Sequence, residues 1–160
     1  CNGFQALIKL GLVPYGRIIE PEAGAPTLTY NTIGRHQSKI VRTRVASNQS
    51  PWLLETEVGQ IFSVPISHGE GRFLADEVLI RQLAAGGQIA TQYVDLEGRP
   101  SDDIEVNPNN SAFAIEGITS PDGRVFGKMG HSERIGAGLY QNVAGNYEMG
   151  LFRSAVRYFR

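Results

Sequence analysis

The chain has 160 residues, 15 basic and 16 acidic side chains and a formal net charge of −1. That length suits one domain or most of one, and 41% hydrophobic residues are enough for a core and too many for intrinsic disorder. The near-neutral balance gives no general attraction to nucleic acid or an anionic membrane surface, and no apolar run approaches the roughly 20 residues of a membrane span. No basic stretch followed by an apolar one marks a signal peptide. A single cysteine excludes an internal disulfide and a Cys-rich zinc site, and it fits a reducing, cytoplasmic setting. The 19 glycines exceed the average of roughly 7% and imply many tight turns.

Cys1 opens the chain, and Phe4, Leu7, Ile8 and Leu12 follow at helical spacing, so an amphipathic helix is expected at once, stopped by Gly11 and Pro14. A helix whose first turn is the chain terminus has nothing to position it. The expectation is therefore a natural chain that extends upstream; the alternative is maturation to a free N-terminal cysteine. After a Pro14-Tyr15-Gly16 turn, residues 17–26 read as loop. Residues 27–34 and 39–46 are rich in Thr, Val, Ile and Tyr and read as strands, the second placing Arg42 and Arg44 on one face. Residues 61–67 form a short apolar run ending in His68-Gly69-Glu70-Gly71-Arg72. Residues 76–85 read as a helix with an acidic first turn, closed by Gly86-Gly87, and 88–94 as the next strand. Residues 95–111 are polar and turn-rich. Strands are expected at 112–118 and 125–129 around a Pro121-Asp122-Gly123 turn. A glycine-rich loop follows over 131–146, and Met149, Phe152, Val156 and Phe159 mark a last amphipathic helix. Strands interleaved with helices suggest an α/β protein, with some strand pairs too close in sequence for helical crossovers.

Three clusters carry chemistry. A cysteine at a helix N-terminus meets unpaired backbone N–H groups and the positive end of the dipole, which favour thiolate. With Gly3 and the small Ala6, Cys1 reads as the second half of a nucleophile elbow or, more blandly, as a structural cysteine. In Gly130-His131-Ser132-Glu133 a strand end delivers a base and, two residues on, a carboxylate able to orient it. An ordinary surface pair beside a turn is the alternative. In the third cluster, Glu70 and Arg72 have the charges to hold the ammonium and carboxylate of an amino acid, or simply each other. Gln5 either reaches a ligand at the helix start or faces water, and Asn107-Pro108-Asn109-Asn110-Ser111 reads as a rigid polar turn. His36, His68 and His131 include no close ligand pair, so a zinc site is not expected. No P-loop or dinucleotide fingerprint is present.

Four stretches taken together carry a resemblance: C-N-G-F-Q-A-L-I-K-L-G-L-V-P-Y-G at 1–16, P-I-S-H-G-E-G-R-F at 65–73, A-T-Q-Y-V-D-L-E-G at 90–98, and the run from N-P-N-N-S at 107 to G-K-M-G-H-S-E-R ending at 134. The chain resembles the glutaminase domain of phosphoribosylformylglycinamidine synthase, a class I, triad-type glutamine amidotransferase of purine biosynthesis. The resemblance runs from Cys1 to the final helix. It implies a flavodoxin-like α/β sandwich, Cys1 as nucleophile, His131 as base and Glu133 as orienting carboxylate. It further implies the Asn2 backbone N–H as an oxyanion donor, and Gln5, His68, Gly69, Glu70 and Arg72 at the glutamine pocket. It implies no cofactor in this domain, and glutamine and a synthetase domain or subunit as partners, with ATP and magnesium bound there. The family carries about half its sheet, and a second oxyanion donor, ahead of the cysteine. Residues 1–160 are accordingly expected to be the C-terminal part of one such domain, beginning at the nucleophile. Two rival readings stand beside this one: an N-terminal-nucleophile amidotransferase using the α-amino group of Cys1 as base, which leaves His131 and Glu133 without a role, and a non-catalytic pseudo-glutaminase scaffold.

Overall fold

The computed structural model describes residues 1–160. Its elements in chain order are α1 (Asn2–Lys9), a short helical turn α2 (Leu12–Tyr15), β1 (Thr27–Tyr30), β2 (Gln37–Val45), β3 (Ile61–His68), β4 (Glu70–Leu74), α3 (Glu77–Ala85), β5 (Ile89–Tyr93), β6 (Ile115–Thr119), β7 (Phe126–Lys128) and α4 (Leu151–Tyr158). Five strands form one sheet in the order β3-β2-β5-β6-β7, and β1 and β4 form a separate ribbon. Every pair is antiparallel, and the short turn between β6 and β7 admits no other pairing of those two. The mixed α/β class is the expected one.

Strand β2, paired on both sides, shows why the sheet forms. Val41, Thr43 and Val45 are buried while Arg42 and Arg44 between them are half-buried, a period of two that gives one face to the core. Helix α1 lays Phe4 and Ile8 into a separate cluster with Leu28, Phe73, Ile118 and Met129. Gly11 ends that helix with φ of +78°, a conformation glycine adopts without penalty. Asp76 caps α3, its Oδ1 accepting from the Leu79 N–H at 2.7 Å.

Four expectations shift. The first strand stops at Tyr30, because Asn31 turns inward: its N–H donates to the Gly69 carbonyl, and its side chain donates to the His68 carbonyl and accepts from the Gly71 N–H. Residues 68–72 are not a loop; β3 ends at His68 and β4 starts at Glu70, with Gly69 as the break. Residues 112–114 form a helical turn ahead of β6 rather than its beginning. The last helix turns its apolar stripe outward, with Phe152 62%, Val156 51% and Phe159 69% exposed. Its buried side is Leu151, Ser154 and Ala155, because the Ser154 hydroxyl accepts from the Glu55 N–H beside the helical turn Pro51–Leu53.

Candidate active site

Cys1 stands at the N-cap of α1, where the first-turn N–H groups have no intrahelical acceptor. Its half-buried thiol lies 3.5 Å from the Glu70 carbonyl oxygen and 3.8 Å from Oδ1 of Asn2. Asn2 opens the helix, so its backbone N–H is one of those unpartnered donors. Gly3 and Ala6 are exposed, and the space beside Gly3 is open, so the close packing expected of them does not occur within residues 1–160.

The second element is the exit from β7. The His131 N–H donates to the Pro65 carbonyl at 2.8 Å, fixing the backbone where the strand ends. His131 Nδ1 lies 2.7 Å from Oε1 of Glu133, and Nε2 is buried with no hydrogen-bond partner. That arrangement is the one a general base needs: one nitrogen oriented by a carboxylate, the other unoccupied. Burial works against ionisation of Glu133. Its own backbone N–H, the hydrogen bond from His131 and the nearby charges outweigh that and hold the carboxyl below its ordinary value.

Cys1, His131 and Glu133 line one cavity of about 460 Å³, together with Phe4, Leu7, Trp52, Phe126, Met129 and Phe152. No hydrogen bond joins the thiol to His131; the thiol is turned to the Glu70 carbonyl instead.

The five residues assigned to a glutamine pocket do not line this cavity, although Glu70 touches the thiol from its other side. Gln5, His68, Gly69, Glu70 and Arg72 are all absent from the lining of this cavity. Gln5 donates to the Glu70 carboxylate at 2.5 Å, on the side of Cys1 where β4 passes. Arg72 donates through Nε to the Asn110 carbonyl, not to Glu70. The backbone of Gly69 is tied to Asn31. The side chain of His68 is 1% exposed and sits 2.6 Å from Oδ1 of Asn109. Burial pushes it down to about 4, against the pull of the Asn109 hydrogen bond, so His68 is a neutral interior imidazole rather than a surface ligand.

Residues 107–111 are more than a turn. Asn107 and Asn109 are fully buried, and Asn107 binds both the N–H and the carbonyl of Ser111. The Ser111 hydroxyl in turn accepts from the Phe73 N–H and donates to the Gly71 carbonyl, so this segment fastens β4 beneath Cys1. Asn109 also donates to the Tyr93 hydroxyl. A second buried group, Glu116, escapes a sequence reading altogether because its neighbours are apolar. No group of three or more His, Cys, Asp or Glu side chains is placed to hold a metal ion.

The fold and the sequence together define a class, the glutamine amidotransferases. The chain belongs to the CobB/CobQ-like glutamine amidotransferase domain family, whose model it matches over residues 1–159. It is 38% identical over 134 residues to the phosphoribosylformylglycinamidine synthase subunit PurQ of Aquifex aeolicus, an alignment covering 84% of this chain and 53% of that protein. It is 36% identical over 152 residues to the same subunit from Synechococcus elongatus, covering 95% and 58%. A solved structure of PurLQS from Thermotoga maritima matches with a TM-score of 0.68 at 28% identity, over 99% of this chain and 59% of that one. The chain thus spans just over half the length of the relatives it matches.

Proposed function

We propose that residues 1–160 are part of a longer glutamine amidotransferase domain and supply its catalytic triad. The domain would be the glutaminase component of phosphoribosylformylglycinamidine synthase in purine biosynthesis. The reading is carried by one observation: Cys1 at a helix N-terminus and the His131–Glu133 pair line the same cavity. The class relationship and the subunit names of the relatives support it. The helix directly behind Cys1, and the use it gives to His131 and Glu133, favour it over the N-terminal-nucleophile reading.

The chemistry is acyl transfer. The Cys1 thiolate attacks the side-chain carbonyl of glutamine, forming a C–S bond and a tetrahedral oxyanion that the Asn2 N–H stabilises. His131, holding on Nε2 the proton it took from the Cys1 thiol, gives it to the departing nitrogen, and the C–N bond breaks to release ammonia. His131 then takes a proton from water, whose oxygen attacks the glutamyl thioester, and glutamate leaves with the thiol restored. Glu133 holds the imidazole and balances the imidazolium. Gln5, Glu70 and Arg72 remain candidates for the amino-acid end of glutamine on the other side of the thiol. Ammonia passes to a synthetase domain or subunit, which binds ATP and magnesium. The proposed reaction fits a cytoplasmic setting. No helix here is long and apolar enough to cross a membrane.

The test is labelling of the full protein by the electrophilic glutamine analogue 6-diazo-5-oxonorleucine. Peptide mapping should find Cys1 modified and nothing else. Cys1→Ala should abolish glutamine-dependent synthesis while synthesis from added ammonia continues. Equal loss of both activities would refute the assignment.

A further inference from the structure

The strongest unassigned feature is a buried ion pair beside the catalytic histidine. Glu116 is fully buried in β6, an expensive place for a carboxylate unless it is paired and hydrogen-bonded. Its Oε1 lies 3.4 Å from the ammonium of Lys128, itself only 10% exposed, and accepts the Gly130 N–H at 2.5 Å. Its Oε2 accepts from the Thr91 hydroxyl, and its backbone carbonyl accepts the Met129 N–H at 3.1 Å. The Lys128 ammonium in turn donates to the Gly130 carbonyl at 3.1 Å and to the Ser132 hydroxyl at 3.1 Å.

The contacts share a target. Lys128 grips the residue before His131 and the residue after it, and Glu116 grips both Lys128 and the Gly130 N–H. Val64 packs against Gly130, 2.6 Å from where a Cβ would stand, so no larger residue fits at this point of the loop. The remaining backbone tie, His131 N–H to the Pro65 carbonyl, fixes one point of the loop; the latch fixes the points on either side. The Glu133 bond orients the ring about its own axis but does not locate the loop.

We propose that Glu116 and Lys128 are positioning residues for His131, a charged latch that sets where the imidazole stands relative to the Cys1 thiol. The proposal rests on the triad reading given above. The pair acts through its grip on the loop at Gly130 and Ser132. An error of about 1 Å in such a group is worth up to about 10²-fold in rate.

The experiment uses the full-length protein with its synthetase present. Removing one charge strands the other in the interior, so Glu116→Gln and Lys128→Met alone risk misfolding. The double variant E116Q/K128M removes both charges, keeps the volumes, and leaves the glutamine side chain able to accept from Gly130 and meet Thr91. Its thermal midpoint should stay within a few degrees of wild type. Its kcat for glutamine hydrolysis should fall about 10- to 100-fold with KM within about threefold, since only the transition state needs the imidazole in place. The Cε1 resonance of His131 in a histidine-labelled sample should move at the same time. An unchanged kcat in the folded double variant overturns the proposal, and so does a raised KM with kcat intact. A wild-type protein without glutaminase activity would refute the triad reading instead. In that event the His131 resonance still decides, and its identity in the two proteins overturns the latch.

Discussion

His131 Nδ1 and Glu133 Oε1 lie 2.7 Å apart, while the other imidazole nitrogen is buried with nothing to bond. A buried nitrogen without a partner is uncommon in folded proteins and calls for an explanation. The proton-transfer role proposed above supplies one, since it requires that nitrogen to face the reacting group.

His131→Ala should therefore lower kcat by about 10²–10⁴-fold, the range for a general acid–base group. Glu133→Ala should cost a smaller factor, because the carboxylate orients the ring but transfers no proton. Steady-state glutamine hydrolysis in the complete enzyme measures both. Because the Glu133 carboxyl is held below its ordinary value, its orienting bond is in place above that value and is lost only as pH falls through the depressed one. A Glu133→Gln variant that is the more damaging change at every pH would reverse the two roles.

How legible the site was depends on which residues signal through sequence spacing. Cys1 does so because a helix is unmistakable behind it, and His131 with Glu133 because both sit in one short glycine-bounded segment. Helix α3 was legible for the same local reasons, an acidic cap and two closing glycines. The clamp at Asn107–Ser111 and the latch at Glu116–Lys128 were not, because their meaning lies in partners 12 to 40 residues away that only the fold brings together. The last helix forms where expected, and the outward facing of its stripe was hidden for a related reason. Its apolar stripe is real, but Ser154 and Ala155 are small enough to let α4 pack closely on the turn at Pro51–Leu53, leaving Phe152 and Val156 outside.

His68 makes a prediction about pH and stability. The folded protein holds its imidazole at about 4, well under the ordinary histidine range near 6.5. Between those values the unfolded chain binds a proton that the folded chain rejects, so stability rises with pH. It is fully present above about 6.5 and is lost as pH falls toward 4, by about 3 kcal/mol for this group. Denaturant titrations of wild type and His68→Gln across that window should differ in slope, the variant keeping the reach to Asn109 without the titration. Parallel profiles would show that His68 does not titrate this way.

Asn107→Ala tests the clamp. The substitution leaves the buried Ser111 N–H without its partner, while the Ser111 carbonyl keeps the Ala114 N–H, so a loss of about 1–3 kcal/mol is expected. The urea midpoint should fall with an unchanged m-value. Since Ser111 also holds the Gly71 carbonyl, β4 should loosen under Cys1, and iodoacetamide should modify the thiol at an altered rate. A variant as stable as wild type would mean that residues 107–111 are only a turn.

Gly127→Ala tests the contact between the two catalytic elements. Gly127 lies in β7, which leads into His131, and a Cβ there would overlap the ring of Phe4, which is three residues from Cys1 in α1. Phe4 is 3% exposed, so the ring cannot swing into solvent without leaving the core. Either α1 moves away from β7 or the core around Phe4 opens. Overpacking of this kind costs about 1–3 kcal/mol, and here it also separates the thiol from the imidazole. The thermal midpoint should drop, and glutamine hydrolysis measured well below that midpoint should drop further than partial unfolding explains. Phe4→Leu in the same chain removes the clashing ring and should recover part of both losses. If Gly127→Ala keeps the wild-type midpoint and rate, α1 and β7 are not packed as closely as the glycine implies, and Cys1 and His131 are held together by other contacts.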